Sequence, residues 1–126
     1  MAIFRHSLFT IIFLSSCAHS TQLSDVDIDN QIEGCFTLKN WQLDTSKEPV
    51  ILRASFGPEN KKFECPCKSA LVKYSVTQKI EISTSYLLTG NFTSLGKDYV
   101  NLPIAVQKQL IFSDIPLHIS LTCAHL

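Results

Sequence analysis

Cys65-Pro66-Cys67, flanked along the chain by Cys35 and Cys123 and followed by His118 and His125, are the residues whose types and spacing could do chemistry. Three chemistries are open to them. A dithiol redox centre ordinarily uses Cys-x-x-Cys at the start of a helix, where the environment lowers the thiol pKa. Cys-x-Cys lacks that spacing, and Pro66 with strand-like flanks argues against a helix there. A metal site would want more ligands close by, and His118, Cys123 and His125 are the residues that could join Cys65 and Cys67. Structural disulfides need only an even set of cysteines in an oxidising compartment. This third chemistry is the one the rest of the chain favours, so no metal, cofactor or catalytic residue is assigned.

The compartment is decided at the N-terminus. Arg5, with His6 beside it, forms a positive n-region, and residues 8–14 form an apolar run that is short for an h-region. Such a run falls far below the roughly 18 apolar residues that span a bilayer as a helix. Leu14-Ser15-Ser16-Cys17 resembles a bacterial lipobox, which implies cleavage before Cys17 and lipidation of Cys17. Ala18 follows, where an aspartate would signal inner-membrane retention in enteric-type bacteria, so the outer membrane, facing the periplasm, is the expected location. Two other readings compete. Ala18-His19-Ser20 is an A-x-A-like site, and cleavage before Thr21 would release a soluble periplasmic or secreted product lacking Cys17. A buried N-terminal helix with an ordinary core cysteine is the other. Lipid contributes about 0.8 kcal/mol per buried CH₂, and one chain alone holds only reversibly. The bacterial modification adds several acyl chains, which makes Cys17 a permanent tether to the membrane and not a nucleophile.

Setting Cys17 aside leaves Cys35, Cys65, Cys67 and Cys123, an even set that reads as two disulfides. A Cys65–Cys67 bridge is disfavoured, because it closes a tiny ring across Pro66 and strained bridges cost several kcal/mol. Two pairings remain open: Cys35–Cys65 with Cys67–Cys123, and Cys35–Cys67 with Cys65–Cys123. Both staple the two ends of the domain to its middle. Removing residues 1–16 leaves one domain's worth of chain, 17–34 as a lipidated tether and 35–126 as the folded body. A 45% hydrophobic, 17% charged composition suits a globular fold. Lys+Arg and Asp+Glu both number 11, and no basic run appears, so nucleic-acid binding has no electrostatic support.

The elements that must position the cysteines read as strands. "CFTLKNWQL" carries Phe36, Leu38, Trp41 and Leu43, interrupted by a turn candidate at Lys39-Asn40. "PVILRASFG" alternates, with Val50, Leu52, Ala54 and Phe56 on one face. "ENKKFE" is a charged loop. In "CKSALVKYSVTQKIEI", Ala70, Val72, Tyr74 and Val76 share a face, and in "SYLLTGNFTSL", Tyr86, Leu88 and Phe92 do. "LGKDY" is a turn around Gly96, "AVQKQLIF" is ambiguous between helical turn and strand, and "SDIP" is another turn. "LHISLTCAHL" closes with Leu117, Ile119, Leu121 and Cys123 inward and His118, Ser120 and Thr122 outward. Short strands recurring between turn signals predict an all-β fold, a small antiparallel sandwich or barrel stapled by two disulfides.

Other tempting patterns resolve into structure. Asp25, Asp27 and Asp29 imitate a calcium loop, but Asn30 stands where the turn needs glycine and Phe36 where the bidentate glutamate belongs. Residues 21–34 therefore read as a solvated tether that could also add an edge strand. His118 lies in the polar phase and reads as a surface residue. Asn91-Phe92-Thr93 matches a glycosylation pattern that a bacterial leader deprives of meaning. Trp41, Phe56, Tyr74, Tyr86 and Phe92 could form an aromatic binding face, but the alternation favours core. No nucleophile elbow or phosphate loop is present.

"ECPCKSALVKYSV" together with "LPIAVQKQLIFSDIPLHISLTCA" resembles a family of short exported bacterial proteins of unknown function. The features carrying the resemblance are Cys65-x-Cys67-Lys68-Ser69-Ala70-Leu71, Gln107-Lys108-Gln109-Leu110 and Leu121-Thr122-Cys123. It covers the domain from Cys35 to Cys123 and implies no activity. Two function classes follow. The first is a non-enzymatic, lipid-anchored envelope module that binds an envelope protein or cell-wall component. Its plan is similar to that of inhibitors of wall-cleaving enzymes and of immunity lipoproteins, as an analogy of architecture. The alternative is a small periplasmic redox or metal-binding protein using Cys65 and Cys67 with His118 and His125. The first is preferred, because no convergent catalytic set is visible.

Overall fold

The computed structural model describes residues 25–57 and 64–125. The leader, Cys17, the first part of the tether and most of the charged loop before Cys65 lie outside the described residues. The strands are β1 (Val26–Asn30), β2 (Thr37–Asp44), β3 (Val50–Gly57), β4 (Leu71–Ile80), β5 (Ser83–Thr93), β6 (Tyr99–Ala105) and β7 (Leu117–Cys123), with a 3-10 turn at Lys108–Leu110. They form one sheet in the order β1-β7-β4-β5 and a second in the order β2-β3-β6. The fold is all-β and stapled by two disulfides, as expected, and of the sandwich and barrel left open it is the two-sheet sandwich. β4–β5 and β2–β3 are hairpins within a sheet, whereas the β1–β2, β3–β4, β5–β6 and β6–β7 connections cross between sheets.

Alternation builds the core. Leu117, Ile119 and Leu121 of β7, Val72, Tyr74 and Val76 of β4, Val50, Leu52 and Ala54 of β3, and Val100, Leu102 and Ile104 of β6 all bury inward. Burying each large aliphatic side chain stabilises by about 1.5–3 kcal/mol. Four departures from the sequence reading have local causes. Asn40 does not end the strand. It takes a positive φ of 53° in a bulge between Lys39 and Gln42, and β2 runs through with Trp41 turned to solvent. Tyr86 is exposed as well, because the β4–β5 register shifts after Val76 and changes the phase of β5. Ala70 precedes β4 and is exposed. β6 escapes a pattern reading because Pro103 interrupts it, and the strand tolerates Pro103 at a sheet edge.

β1 occupies part of the segment read as tether. Asp25, Asp27 and Asp29 are period-2 outward positions of that strand and its approach, while Val26 and Ile28 pack against the core. The edge strand foreseen as an option is therefore present, paired parallel to β7 from Val26↔Leu117 to Asn30↔Leu121. Among the described residues it is the one parallel pairing, and the others are antiparallel.

Two polar groups work inside. The Tyr74 hydroxyl crosses from β4 to donate to the Pro103 carbonyl oxygen at 2.9 Å. Its ring lies over Gly90, where a Cβ would come within 2.7 Å of the ring. Gln78, in the inward phase of β4, is fully buried. Its Nε2 donates to the Phe112 and Ile115 carbonyls at 2.9 and 3.0 Å, and its Oε1 accepts from the Phe112 N–H at 2.9 Å. This one side chain holds the β6–β7 connection against the end of the sandwich. Replacing Gln78→Leu leaves three backbone groups without those partners and should destabilise by about 2–4 kcal/mol. Urea unfolding checks this, and a change within a few tenths of a kcal/mol would show the clamp to be unimportant.

Burial raises the Tyr74 phenol above its ordinary 10.0. The folded state therefore holds that proton more tightly than the unfolded chain. Its contribution is fully present below pH ~10 and is lost as pH rises through the raised value. Between pH 9 and 11, on the order of the range where phenols titrate, the melting temperature of Tyr74→Phe should fall less steeply than that of the parent. The variant should start about 1 kcal/mol less stable at neutral pH, because the Pro103 carbonyl loses its donor. Parallel curves would refute the assignment.

Candidate functional site

One end of the sandwich gathers all four domain cysteines. Cys35 lies on the β1–β2 crossing, Cys65 and Cys67 on the β3–β4 crossing, and Cys123 at the end of β7. The bridges are Cys35–Cys65 and Cys67–Cys123, with Cα separations of 4.5 and 5.2 Å. This settles the pairing that the spacing left open. The β1–β2 loop is fixed further by Asn30, whose Nδ2 donates to the Phe36 carbonyl at 2.9 Å and whose Oδ1 accepts from the Ile32 N–H at 3.0 Å. A turn bond from the Cys35 N–H to the Ile32 carbonyl follows at 2.9 Å. Buried Ile32 plugs the end of the core.

Beneath the bridges sits an aromatic cluster. Phe36 meets Phe56 and Phe92 edge-on, at ring-centre distances of 5.5 and 5.7 Å. Phe56 stacks on Phe92 at 6.3 Å, and Tyr74 joins Phe92 at 6.1 Å. These contacts draw on both sheets, and such pairs contribute about 0.5–1.5 kcal/mol each beyond their buried area. The core expectation for Phe56, Tyr74 and Phe92 is met.

Two open clefts flank the bridges. One, of about 280 Å³, lies between the β1–β2 loop and the Glu64–Pro66 segment and carries Glu33 and Glu64. The other, of about 320 Å³, runs along Cys35, Cys67, Lys68 and Ser69 to Ser94 and Leu95 of the β5–β6 loop. Backbone edges, a lysine, hydroxyls and two carboxylates line them. These groups can donate and accept hydrogen bonds and carry charge of both signs. Glu33, Glu64, Lys68, Ser69 and Leu95 escaped the sequence reading as site residues. The only signal for them was proximity to Cys35 and Cys67, which matters once the bridges are known.

The histidines do not join the sulfurs. His118 sits five strand positions before Cys123, about 16 Å along β7, with its Nδ1 3.0 Å from the Asp27 carboxylate on the neighbouring strand. His125 is exposed beyond the last strand. The sulfurs of Cys35, Cys65 and Cys67 lie within 4.8 Å of one another. Soft-metal ligation needs them as thiolates, and paired as disulfides they offer none. The outward phase read for His118 is met. Cys17 lies outside the described residues.

The family described as "Uncharacterized protein conserved in bacteria (DUF2195)" matches residues 11–125. The chain belongs to DUF2195. The match spans every strand, all four bridging cysteines and Cys17. Membership bears out the resemblance to a bacterial family of unknown function, and DUF2195 carries no activity in its description. No curated protein and no solved structure matches the chain.

In the chain-entropy treatment, the sequence separations of 30 and 56 residues give upper contributions of about 3.6 and 4.2 kcal/mol for the two bridges. Replacing Cys67 and Cys123 together by serine should therefore destabilise more than replacing Cys35 and Cys65 together. Urea midpoints rank the two, and peptide mapping without reduction should recover the pairs named above. Recovery of Cys35 joined to Cys67 would overturn the arrangement.

Proposed function

We propose that this DUF2195 protein is a lipid-anchored module of the bacterial cell envelope. In this reading it is held to the outer membrane through Cys17 and binds an envelope protein or cell-wall component without catalysing a reaction, in the manner of a small inhibitor or immunity protein. The observation that carries the reading is the closure of the cysteine set. The chain has five cysteines, and four of them pair with one another. Cys17, directly after the apolar run, is left without a partner in the chain, which suits a lipid attachment site. Two bridges in one small domain also favour an oxidising compartment. Export then gives the bridges and the lipobox-like string a common cause.

The binding surface is assigned to the clefts at the disulfide end. Loops held by a rigid scaffold are where binding groups concentrate, and here covalent bonds hold the loops. Rigid loops lose less freedom on association.

Cells expressing the full chain with a photocrosslinking residue at Lys68, beside the larger cleft, test both halves of the reading. Mass spectrometry of the mature N-terminus should find acylated Cys17. Crosslinking should give one discrete adduct from position 68 and none from Asn101, an exposed position on β6. A mature chain starting at Thr21 without lipid would refute the anchor. Equal adducts from both positions would refute the cleft.

A further inference from the structure

The end of the sandwich opposite the disulfides exposes a set of large apolar side chains. Ile82 at the tip of the β4–β5 hairpin is 99% exposed, and Val106, Leu110 and Phe112 on the β6–β7 connection are 58, 42 and 51% exposed. They lie at one end by topology. Gln78, near the end of β4, binds Phe112 through both backbone groups, and Ile80 pairs with Ser83 around the hairpin tip. The Lys108 N–H reaches Glu48 of the β2–β3 loop at 3.3 Å. These residues are not a frayed edge of the core, because the fully buried Gln78 holds the segment that presents Phe112. Four large apolar side chains exposed together at one end, on segments held in place, make that end a candidate contact surface.

The chain itself says what covers it. β1 is parallel to β7, so it starts where β7 starts, and the Leu117 N–H donates to the Asp25 carbonyl at 2.7 Å. The chain preceding Asp25 therefore enters the sandwich beside the apolar end. β4, running from the disulfide end at Leu71 to the hairpin at Ile80, separates the two ends by about 30 Å. Cys17 is eight residues before Asp25, and such a stretch reaches at most about 28 Å. An anchor at Cys17 thus keeps the apolar end within one tether length of the bilayer.

We propose that Ile82, Val106, Leu110 and Phe112 dock onto the surface of the membrane that carries the anchor, so that the domain stands with its disulfide end and clefts pointing away from the lipid. This rests on the lipid-anchor reading above. Insertion into the headgroup boundary suits four apolar side chains. Lys79 and Lys108, both exposed at this end, have stems long enough to lay along the boundary with their ammonium groups at the phosphates. Asp25, Glu48, Glu81 and Asp114 sit at the same end, so apolar insertion carries the contact and net charge does not. A second copy of the chain is the competing occupant, but nothing holds one at this end as the tether holds the bilayer.

The test uses the full lipidated protein, extracted from the envelope and reconstituted into vesicles of phosphatidylethanolamine and phosphatidylglycerol with brominated acyl chains. The sole tryptophan, Trp41, is first replaced by phenylalanine. Leu110→Trp then reports the apolar end and Leu95→Trp the disulfide end, each checked for an unchanged unfolding transition. Flotation with the vesicles reports the anchor, and quenching by bromine reports docking. Flotation of both variants, with quenching several-fold stronger at position 110 than at 95, is the expected result. Flotation with weak or equal quenching at the two positions overturns docking and leaves the anchor standing. Flotation with weak quenching at position 110 and a doubled protein mass on sedimentation of the detergent extract gives the face to a dimer and overturns docking as well. Failure to float overturns the anchor, and docking falls with it.

Discussion

Four of the connections in this small sandwich leave one sheet for the other, and two of them are covalently joined at a single end. That constraint organises the rest. A sandwich is held together by the contact of its inner faces, and here the smaller sheet has only three strands. Cys35–Cys65 ties the β1–β2 crossing to the β3–β4 crossing, and Cys67–Cys123 ties the latter to the end of β7. The bridges remove loop freedom from the unfolded chain, where crossings are costly. With the loops pinned, Phe36, Phe56 and Phe92 can pack as a fixed aromatic layer directly beneath them.

The opposite end has no covalent closure and uses hydrogen bonds instead. Gln78 occupies an inward position that alternation would give to an aliphatic residue, and it accepts full burial in exchange for three backbone partners. Between the ends, Tyr74 links the sheets through the Pro103 carbonyl, a group that β6 leaves available near its register shift with β3. Among the described residues no buried side-chain polar atom lacks a partner. Satisfied interior polar groups of this kind fix which loop goes where, since apolar burial alone is indifferent to position.

Much of this was legible in the chain. The alternation of residues 50–56, 72–76 and 117–121 identified the inward faces of β3, β4 and β7, and the even set of cysteines left after Cys17 identified the bridging residues. The pairing was not legible, because Cys65 and Cys67 are two residues apart and either can reach either partner until the loops are placed. Trp41 lies inside the β2 bulge, and Tyr86 lies beyond a register shift that reverses the phase of β5; no local signal announces either apart from Asn40. β6 was hidden by Pro103. Gln78 could have been found, since a polar residue in the inward phase of a good strand must find partners. The clefts depend on three loops from distant parts of the chain, and no window of sequence contains them.

The sheet edges narrow where recognition can occur. β2 carries the Asn40–Trp41 bulge, β6 carries Pro103, and β1 has only five residues. Each device discourages strand addition, because a bulge, a missing N–H or a short ladder leaves an incoming strand poorly paired. Among the described residues β5 is the long edge, and its outward positions are Thr84, Thr89, Asn91 and Thr93 with the exposed Tyr86 among them. Three of the four edges are blunted in this way, which leaves β5 and the loops as the surfaces open to a partner. The loops fall into two groups of opposite character. The disulfide end is recessed and closed by two covalent bridges, with Lys68 and Ser69 beside exposed Leu95, and the other presents Ile82, Val106, Leu110 and Phe112 on segments held by hydrogen bonds. Under the proposed anchor, the length of β4 would hold the clefts at the disulfide end clear of the lipid.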